Sequence, residues 1–184
     1  QYIKGPDFPT GGYCTAGDEL RKAYETGKGR LLLRAKTSIE KTKNGKSQIV
    51  ITEIPYQVNK AAMLEKILRL REEKRGILTD ITDIRDESDR EGMRAVIEVK
   101  RDADPEKVLQ YLYRYSDLQV TFGVNIVAIA EGRPQQMGLM QICRYYVDYQ
   151  KKVILRRTRY ELEEAERREH ILEGLMIAVD NIDE

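Results

Sequence analysis

The sequence predicts an α+β protein, a sheet domain built from interleaved strands and helices and followed by one long helix of coiled-coil type. Three observations predict it. Strand-like stretches, either alternating apolar with polar or rich in β-branched residues, fall over 30–39, 48–54, 93–100 and 119–130. Between them, 59–75 and 104–115 place apolar residues at helical spacing. After Pro134 there is no further proline, and glycine recurs only at Gly138 and Gly174, so a helix starting at Leu139 has little to break it.

The opening Gly5-Pro6-Asp7-Phe8-Pro9-Thr10-Gly11-Gly12 is dense in turn formers and reads as an extended connector. Asp18 to Thr26 is a short helix closed by Gly27 and Gly29. Residues 1–29 are therefore a connector with a short helix. From Arg30 to Ile39 the chain alternates, with Leu31, Leu33, Ala35 and Ile39 on one side and Arg30, Leu32, Arg34 and Lys36 on the other. Asn44-Gly45, between Lys43 and Lys46, favours a hairpin turn, and the strand returns over Gln48 to Ile54 until Pro55 ends it. Asn59 is a good N-cap for a helix that carries Met63, Ile67 and Leu70 inward and runs to about Arg75, before Gly76. A strand is expected around Leu78 to Arg85, then the acidic turn Asp86-Glu87-Ser88-Asp89, then a strand over Met93 to Lys100 with Met93, Ala95, Ile97 and Val99 on one face. Asp104-Pro105 opens a helix with proline at its first position and a stripe of Val108, Leu112 and Tyr115. Gln119 to Ala130 is a final strand, with Val120, Phe122, Val124 and Ile126 alternating. From Gln48 onward the order is strand, helix, strand, strand, helix, strand, which is the split βαβ order of a ferredoxin-like sheet with helices on one face. Residues 30–134 are expected to form this α+β domain.

Residues 135–184 are expected to form a helical arm. Ile142, Tyr146, Tyr149 and Val153 step by four, three and four. Leu162, Ala165, Glu169, Leu172, Met176 and Val179 continue the three-and-four stepping on a shifted seam, with Leu162, Ala165, Leu172, Met176 and Val179 as its apolar positions. Forty-odd residues of helix span ~60 Å. The chain has no second helix of that length to cover the seam, so the seam requires a partner: a returning segment or another subunit. The opening at Gln1 and the end at Glu184, inside a helical stretch, suggest a piece of a longer chain.

Charge nearly cancels over the whole chain, 32 basic against 31 acidic residues, but it is segregated. From Arg21 to Lys46 there are nine basic and two acidic residues, from Arg144 to Arg159 six and one, and from Glu161 to Glu184 two and nine. Separate charged surfaces serve either separate partners or simple solvation. Cys14 and Cys143 form no CxxC pair, which argues for a reducing, cytoplasmic setting and against a disulfide framework or zinc site. With His170 as the single histidine, no His cluster exists to bind a metal. No apolar run approaches the length of a membrane span.

A search for catalytic chemistry finds no Ser/His/Asp set and no Walker-type phosphate loop. Gly27-Lys28-Gly29 is too short to cradle a nucleotide. Asp83, Asp86, Glu87 and Asp89 lack the order of a calcium loop and read as a solvated turn. Tyr145, after Arg144, is the most tempting nucleophile among the tyrosines, but it lies within a long helix, where packing is the commoner role. The constellation that does suggest a ligand is basic. Arg30, Arg34 and Lys36 share one strand face with Lys28 just before them, and a row of cations at strand spacing tracks a nucleic-acid backbone without reading its sequence. Asn59 and Lys60, at a helix N-terminus, add a candidate phosphate site whose simpler reading is helix capping.

Several segments resemble a known family in order along the chain: Gly5-Pro6-Asp7-Phe8-Pro9-Thr10, Glu53-Ile54-Pro55-Tyr56-Gln57-Val58-Asn59-Lys60, Arg85-Asp86-Glu87-Ser88-Asp89-Arg90, Thr121-Phe122-Gly123-Val124-Asn125, Arg156-Arg157-Thr158-Arg159-Tyr160-Glu161-Leu162 and His170-Ile171-Leu172-Glu173-Gly174-Leu175. Together they are similar to the A subunits of bacterial type IIA DNA topoisomerases. The resemblance implies an internal stretch of one of these subunits, its tower domain plus the first limb of the coiled coil leading to the C-gate. It implies an A2B2 enzyme that passes one duplex through a break in another, so the partners are double-stranded DNA, the B subunit, and the other copy of the A subunit. It places ATP hydrolysis and the Mg²⁺ site in the B subunit, with no cofactor in this stretch and no membrane partner. The Arg-Tyr-Thr context of the family's nucleophile is absent, so no tyrosine here inherits catalysis, and this stretch alone is expected to be inactive. Within the family, the Thr121–Asn125 and His170–Glu184 stretches look more like gyrase, whereas Glu131-Gly132-Arg133-Pro134 with Met137-Gly138 fits topoisomerase IV as well.

Overall fold

The computed structural model describes residues 3–15, 17–42, 44–73 and 76–182. The elements run β1 (Tyr13–Cys14), α1 (Asp18–Thr26), β2 (Lys28–Arg34), β3 (Lys36–Lys41), β4 (Ser47–Glu53), α2 (Lys60–Glu73), a 3₁₀ turn (Ile77–Asp80), β5 (Ile81–Asp86), β6 (Ala95–Val99), α3 (Pro105–Tyr115), β7 (Gln119–Asn125), β8 (Val127–Ala130), β9 (Arg133–Gln136) and α4 (Leu139–Asp180). The class is α+β with a long C-terminal helix, as expected. Contacts divide the chain into two compact units, 1–125 and 126–184. Lys74 and Arg75, where the second helix is expected to end, lie outside the described residues, as do Lys43 in the hairpin turn and 183–184 of the expected arm.

In residues 1–125 a four-stranded antiparallel sheet has the order β3-β4-β6-β5. Its inward face carries Ile49 and Ile51 from β4 and Ala95, Ile97 and Val99 from β6. Met63 and Ile67 of α2 and Val108 and Leu112 of α3 close over them, all fully buried. Each such side chain contributes ~1.5–3 kcal/mol by leaving water. Local signals set the helix starts. Asn59 Oδ1 accepts the amide of Ala62 at 3.1 Å, and Asp104 Oδ1 accepts those of Glu106 and Lys107 ahead of Pro105 at N1. On the opposite face Val50 and Val96 pair across the sheet and are also buried, beside an ion-pair lattice in which Arg94 reaches Glu40 and Glu87 and Arg85 reaches Asp83 and Glu87.

The split βαβ half of the expected topology is present: β4, α2 and β5, with β6 between the two strands. The last strand departs from the ferredoxin-like arrangement. Rather than taking the edge beside β4, β7 pairs with β2, and β1 joins on the other side in a separate three-stranded sheet. The stretch expected as one strand over 30–39 is two strands divided at Ala35, whose amide donates to Leu118 O at 2.8 Å. Before Ala35 the chain pairs with 119–125; after it, the chain pairs with 47–53 and so fills the edge itself. A register shift between Lys36 and Thr37 accompanies the change. Ile39, expected inward with Leu31, Leu33 and Ala35, is 38% exposed because β3 is an edge strand. The strand expected from Leu78 opens instead as the 3₁₀ turn, which buries Leu78.

The small sheet has its own core. Leu20 of α1 and Leu31 and Leu33 of β2 pack with Phe8, Tyr56, Val120, Phe122 and Val124. Gly27 ends α1 in the left-handed region, φ 78°. Gly29 lies in β2 rather than at the helix end, and a Cβ there would stand 2.7 Å from that of Ala23, so its role is to let α1 sit close on the strand.

In residues 126–184 the strand expected over 119–130 ends at Asn125, and Val127–Ala130 turns back on Arg133–Gln136. The intervening Glu131 and Gly132 both have positive φ, 53° and 76°, as a tight two-residue hairpin turn requires. α4 runs for 42 residues without a buried side chain.

Candidate nucleic-acid interface

The β2–β7 register shows which face of the small sheet is free. Leu31, Leu33, Val120, Phe122 and Val124 turn into the core, so Lys28, Arg30, Leu32 and Arg34 turn out, opposite Asn125, Gly123, Thr121 and Gln119 respectively. This open face joins the basic row to polar or side-chain-free neighbours. Behind it, the rings of Phe8, Tyr56 and Phe122 meet at centroid distances of 5.2 to 5.9 Å. One ring comes from each of three segments that carry the family resemblance, so those segments converge on the support of this face.

The expected basic residues differ in what they meet. Among the described residues, the side chains of Lys28 and Arg30 are exposed and no carboxylate pairs with either. Arg34 is held in place: its Nε and Nη2 donate to Gln119 Oε1 at 2.9 and 2.6 Å, and its guanidinium lies 4.5 Å from the centre of the Tyr113 ring. Tyr113 is itself fixed by a 2.7 Å hydrogen bond to Thr37. Lys36 donates to Glu53 at 3.0 Å, a bond that raises its pKa. Glu53 also accepts the amide of Gly12, and that bond first, then Lys36, lowers its pKa. Asn59 caps α2. Lys60 lies 2.6 Å from Asp86 and donates to Ser88 Oγ at 3.1 Å. Hydrogen bonds from Lys60 and Ser88 bring the Asp86 carboxyl down to about 2. The structure thus groups Lys28, Arg30 and Arg34 on one face, while Lys36 and Lys60 each have a carboxylate partner within the chain.

Sequence reasoning missed the other half of this face. Gln119, Thr121, Gly123 and Asn125 are its β7 side, and Tyr113 is the seat of Arg34. The signal for the first four was present in the alternation of β7; what identified them as neighbours of the basic row is a pairing across 85 residues.

In α4 the expected seam residues Leu162, Leu172, Met176 and Val179 are 49–65% exposed, and Ala165 lies in the same exposed stretch. Tyr145 is half-buried and lines a cleft with Ile142 and Tyr149 of α4 and Ala128 and Met137 of the hairpin segment, a packing position. Among the described residues, no three His, Cys, Asp or Glu side chains come together to hold a metal, and no helix is long and apolar enough to cross a membrane.

All 184 residues match the family of DNA gyrase/topoisomerase IV A subunits. The chain is 53% identical over 182 residues to the A subunit of a DNA gyrase from Clostridium acetobutylicum, covering 99% of this chain and 22% of that protein. It is 51% identical over its whole length to the A subunit of a DNA gyrase from Streptococcus pneumoniae, covering 22% of it. It is 49% identical, again over its whole length, to the A subunit of a DNA topoisomerase 4 from Staphylococcus epidermidis, covering 23% of it. The chain thus spans between a fifth and a quarter of the length of these relatives.

Proposed function

The chain belongs to the family of DNA gyrase/topoisomerase IV A subunits, and on that premise we propose that residues 1–125 are a platform for duplex DNA and that α4 is one limb of a coiled-coil arm linking the DNA gate to the C-gate. The observation that carries the platform is the outward pair of cations, Lys28 and Arg30, unopposed among the described residues on a sheet whose other face is core. Lys36 and Lys60, neutralised within the chain, are secondary to it, and Asn59 serves α2 first. Contacts of this kind position a duplex through its phosphates and carry no sequence preference. The arm reading is supported by 42 unbroken helical residues with an apolar seam that is exposed among the described residues.

The enzyme served is a type IIA topoisomerase, in which two copies of this protein pair with each other and with B subunits in the cytoplasm. Mg²⁺ and ATP belong to the B subunit, and strand cleavage belongs to a part of the A subunit beyond this stretch. The gyrase branch is the reading adopted, supported by the higher identity to the gyrase-named relatives; decatenation by a topoisomerase IV is the alternative.

Duplex binding by the 184-residue chain, followed against salt concentration, tests the platform. Each phosphate contact contributes ~0.9 to the slope of log affinity against log salt. Lys28→Glu with Arg30→Glu is expected to reduce that slope by about 2. An unchanged affinity overturns the platform. A second reading, a scaffold that associates through α4 without DNA affinity, is favoured by the exposed seam and shows as concentration-dependent self-association in sedimentation with no DNA shift.

A further inference from the structure

Gly123 sits in the middle of β7, in the middle of the open face, opposite Arg30. Glycine weakens a strand interior and is kept there for a bulge, a bend or the close approach of another backbone. The first two reasons are absent. Its backbone is outside the left-handed region, and the β2–β7 register runs without interruption from Lys28↔Asn125 to Arg34↔Gln119. Packing within the chain does not require it either. A Cβ built at Gly123 meets nothing within 4 Å, in contrast to Gly29, where Ala23 fills that space. The stem of Arg30 therefore does not lie over Gly123, and the fold itself leaves room for a side chain there. The remaining reason is a partner that comes down onto the sheet.

We propose that Gly123 is a clearance point in the DNA-facing surface: its missing side chain lets a phosphate backbone lie against β7 between Thr121 and Asn125, within reach of Arg30 and Lys28 from the neighbouring strand. This rests on the platform reading and adds to it a position that acts by shape and carries no charge. Lys28 and Arg30 supply the attraction, and Gly123 sets how near the backbone comes. A β-branched residue at Gly123 holds the duplex off by the depth of a side chain, and in water the attraction between charges weakens as the separation grows.

The test compares the 184-residue chain with Gly123→Ala, Gly123→Val and Arg30→Ala, measuring affinity for a random-sequence duplex at low salt and thermal unfolding of each protein. The expected result is graded. Gly123→Ala binds a few-fold more weakly and Gly123→Val about tenfold or more, while the Tm of both equals or exceeds that of the parent, because Ala and Val suit a strand at least as well as Gly. If Arg30→Ala weakens binding and both Gly123 variants bind as the parent does, the clearance proposal is wrong and the platform stands. If the parent itself shows no salt-sensitive binding, the platform and the clearance proposal fall together. A drop in Tm for Gly123→Ala also overturns the proposal, since it shows that the fold needs the glycine.

Discussion

In residues 1–125 the apolar stripes of β4, β6, α2 and α3 close on one another, whereas α4 leaves Leu162, Leu172, Met176 and Val179 about half exposed or more. Both regions carry regular apolar periodicity. The difference is that a strand or short helix in the first region has its complement elsewhere in the same unit, while the distal seam of α4 has none among the described residues. Periodicity alone therefore says that a face wants to be dry; whether the chain itself dries it depends on what else is present.

The largest effect that separates the two regions is truncation of the seam against truncation of the core. Ile97→Ala, at a fully buried position in β6, is expected to lower stability by about 2–5 kcal/mol. Leu172→Ala in α4 is expected to change it by under about 0.5 kcal/mol. Urea unfolding at low protein concentration measures both, and a large loss from Leu172→Ala would show that the seam is covered in solution. Next in size is a matched pair of glycines. Gly29→Ala drives a methyl into Ala23 and is expected to cost about 1–3 kcal/mol. Gly174→Ala, in a helix interior with open space around it, is expected to stabilise α4 by about 0.8–1 kcal/mol; helical circular dichroism against temperature distinguishes the two signs. The smallest effect concerns Asp86. Its carboxyl titrates near 2 when folded, below its ordinary 3.8. Its contribution is therefore complete above pH 3.8 and is lost as the pH falls from there towards 2. Because the Lys60–Asp86 pair is exposed by a third or more, the contribution is at most about 1 kcal/mol after solvent screening. Urea midpoints from pH 5 to pH 2 are expected to fall more steeply for the parent than for Asp86→Asn.

Much of the fold was legible because its signals are local. The Asn59 and Asp104 caps, the bounds of α1 and the inward residues of β6 follow from side chains acting within a few positions of themselves. What was not legible depends on partners far along the chain. Alternation runs on through Ile126, but β7 stops at Asn125, where its partner strand begins at Lys28. The division at Ala35 is likewise a change of partner rather than a change of local preference. The candidate interface divides the same way. Lys28 and Arg30 stand out from composition and spacing, but the engagement of Arg34 by Gln119, of Lys36 by Glu53 and of Lys60 by Asp86 joins residues that no local pattern relates. Gly123 was visible as a letter; its meaning came from the empty space around it.

The β2–β7 pairing also sets an order of events during synthesis. A ribosome releases β2 early, yet Arg34 cannot meet Gln119 until 85 more residues have been made. The larger sheet needs nothing beyond β6 for its strands and nothing beyond α3 for its helical cover. Closing a long loop is entropically slow, so strands that wait for distant partners join late. On this order the four-stranded sheet and its helices are complete while the small sheet still consists of β1 and β2 alone, and the basic face gains its β7 side only when Asn125 clears the exit tunnel. Until then Leu31 and Leu33 have no cover from Val120, Phe122 and Val124, and transiently uncovered apolar surface of this kind invites misassociation.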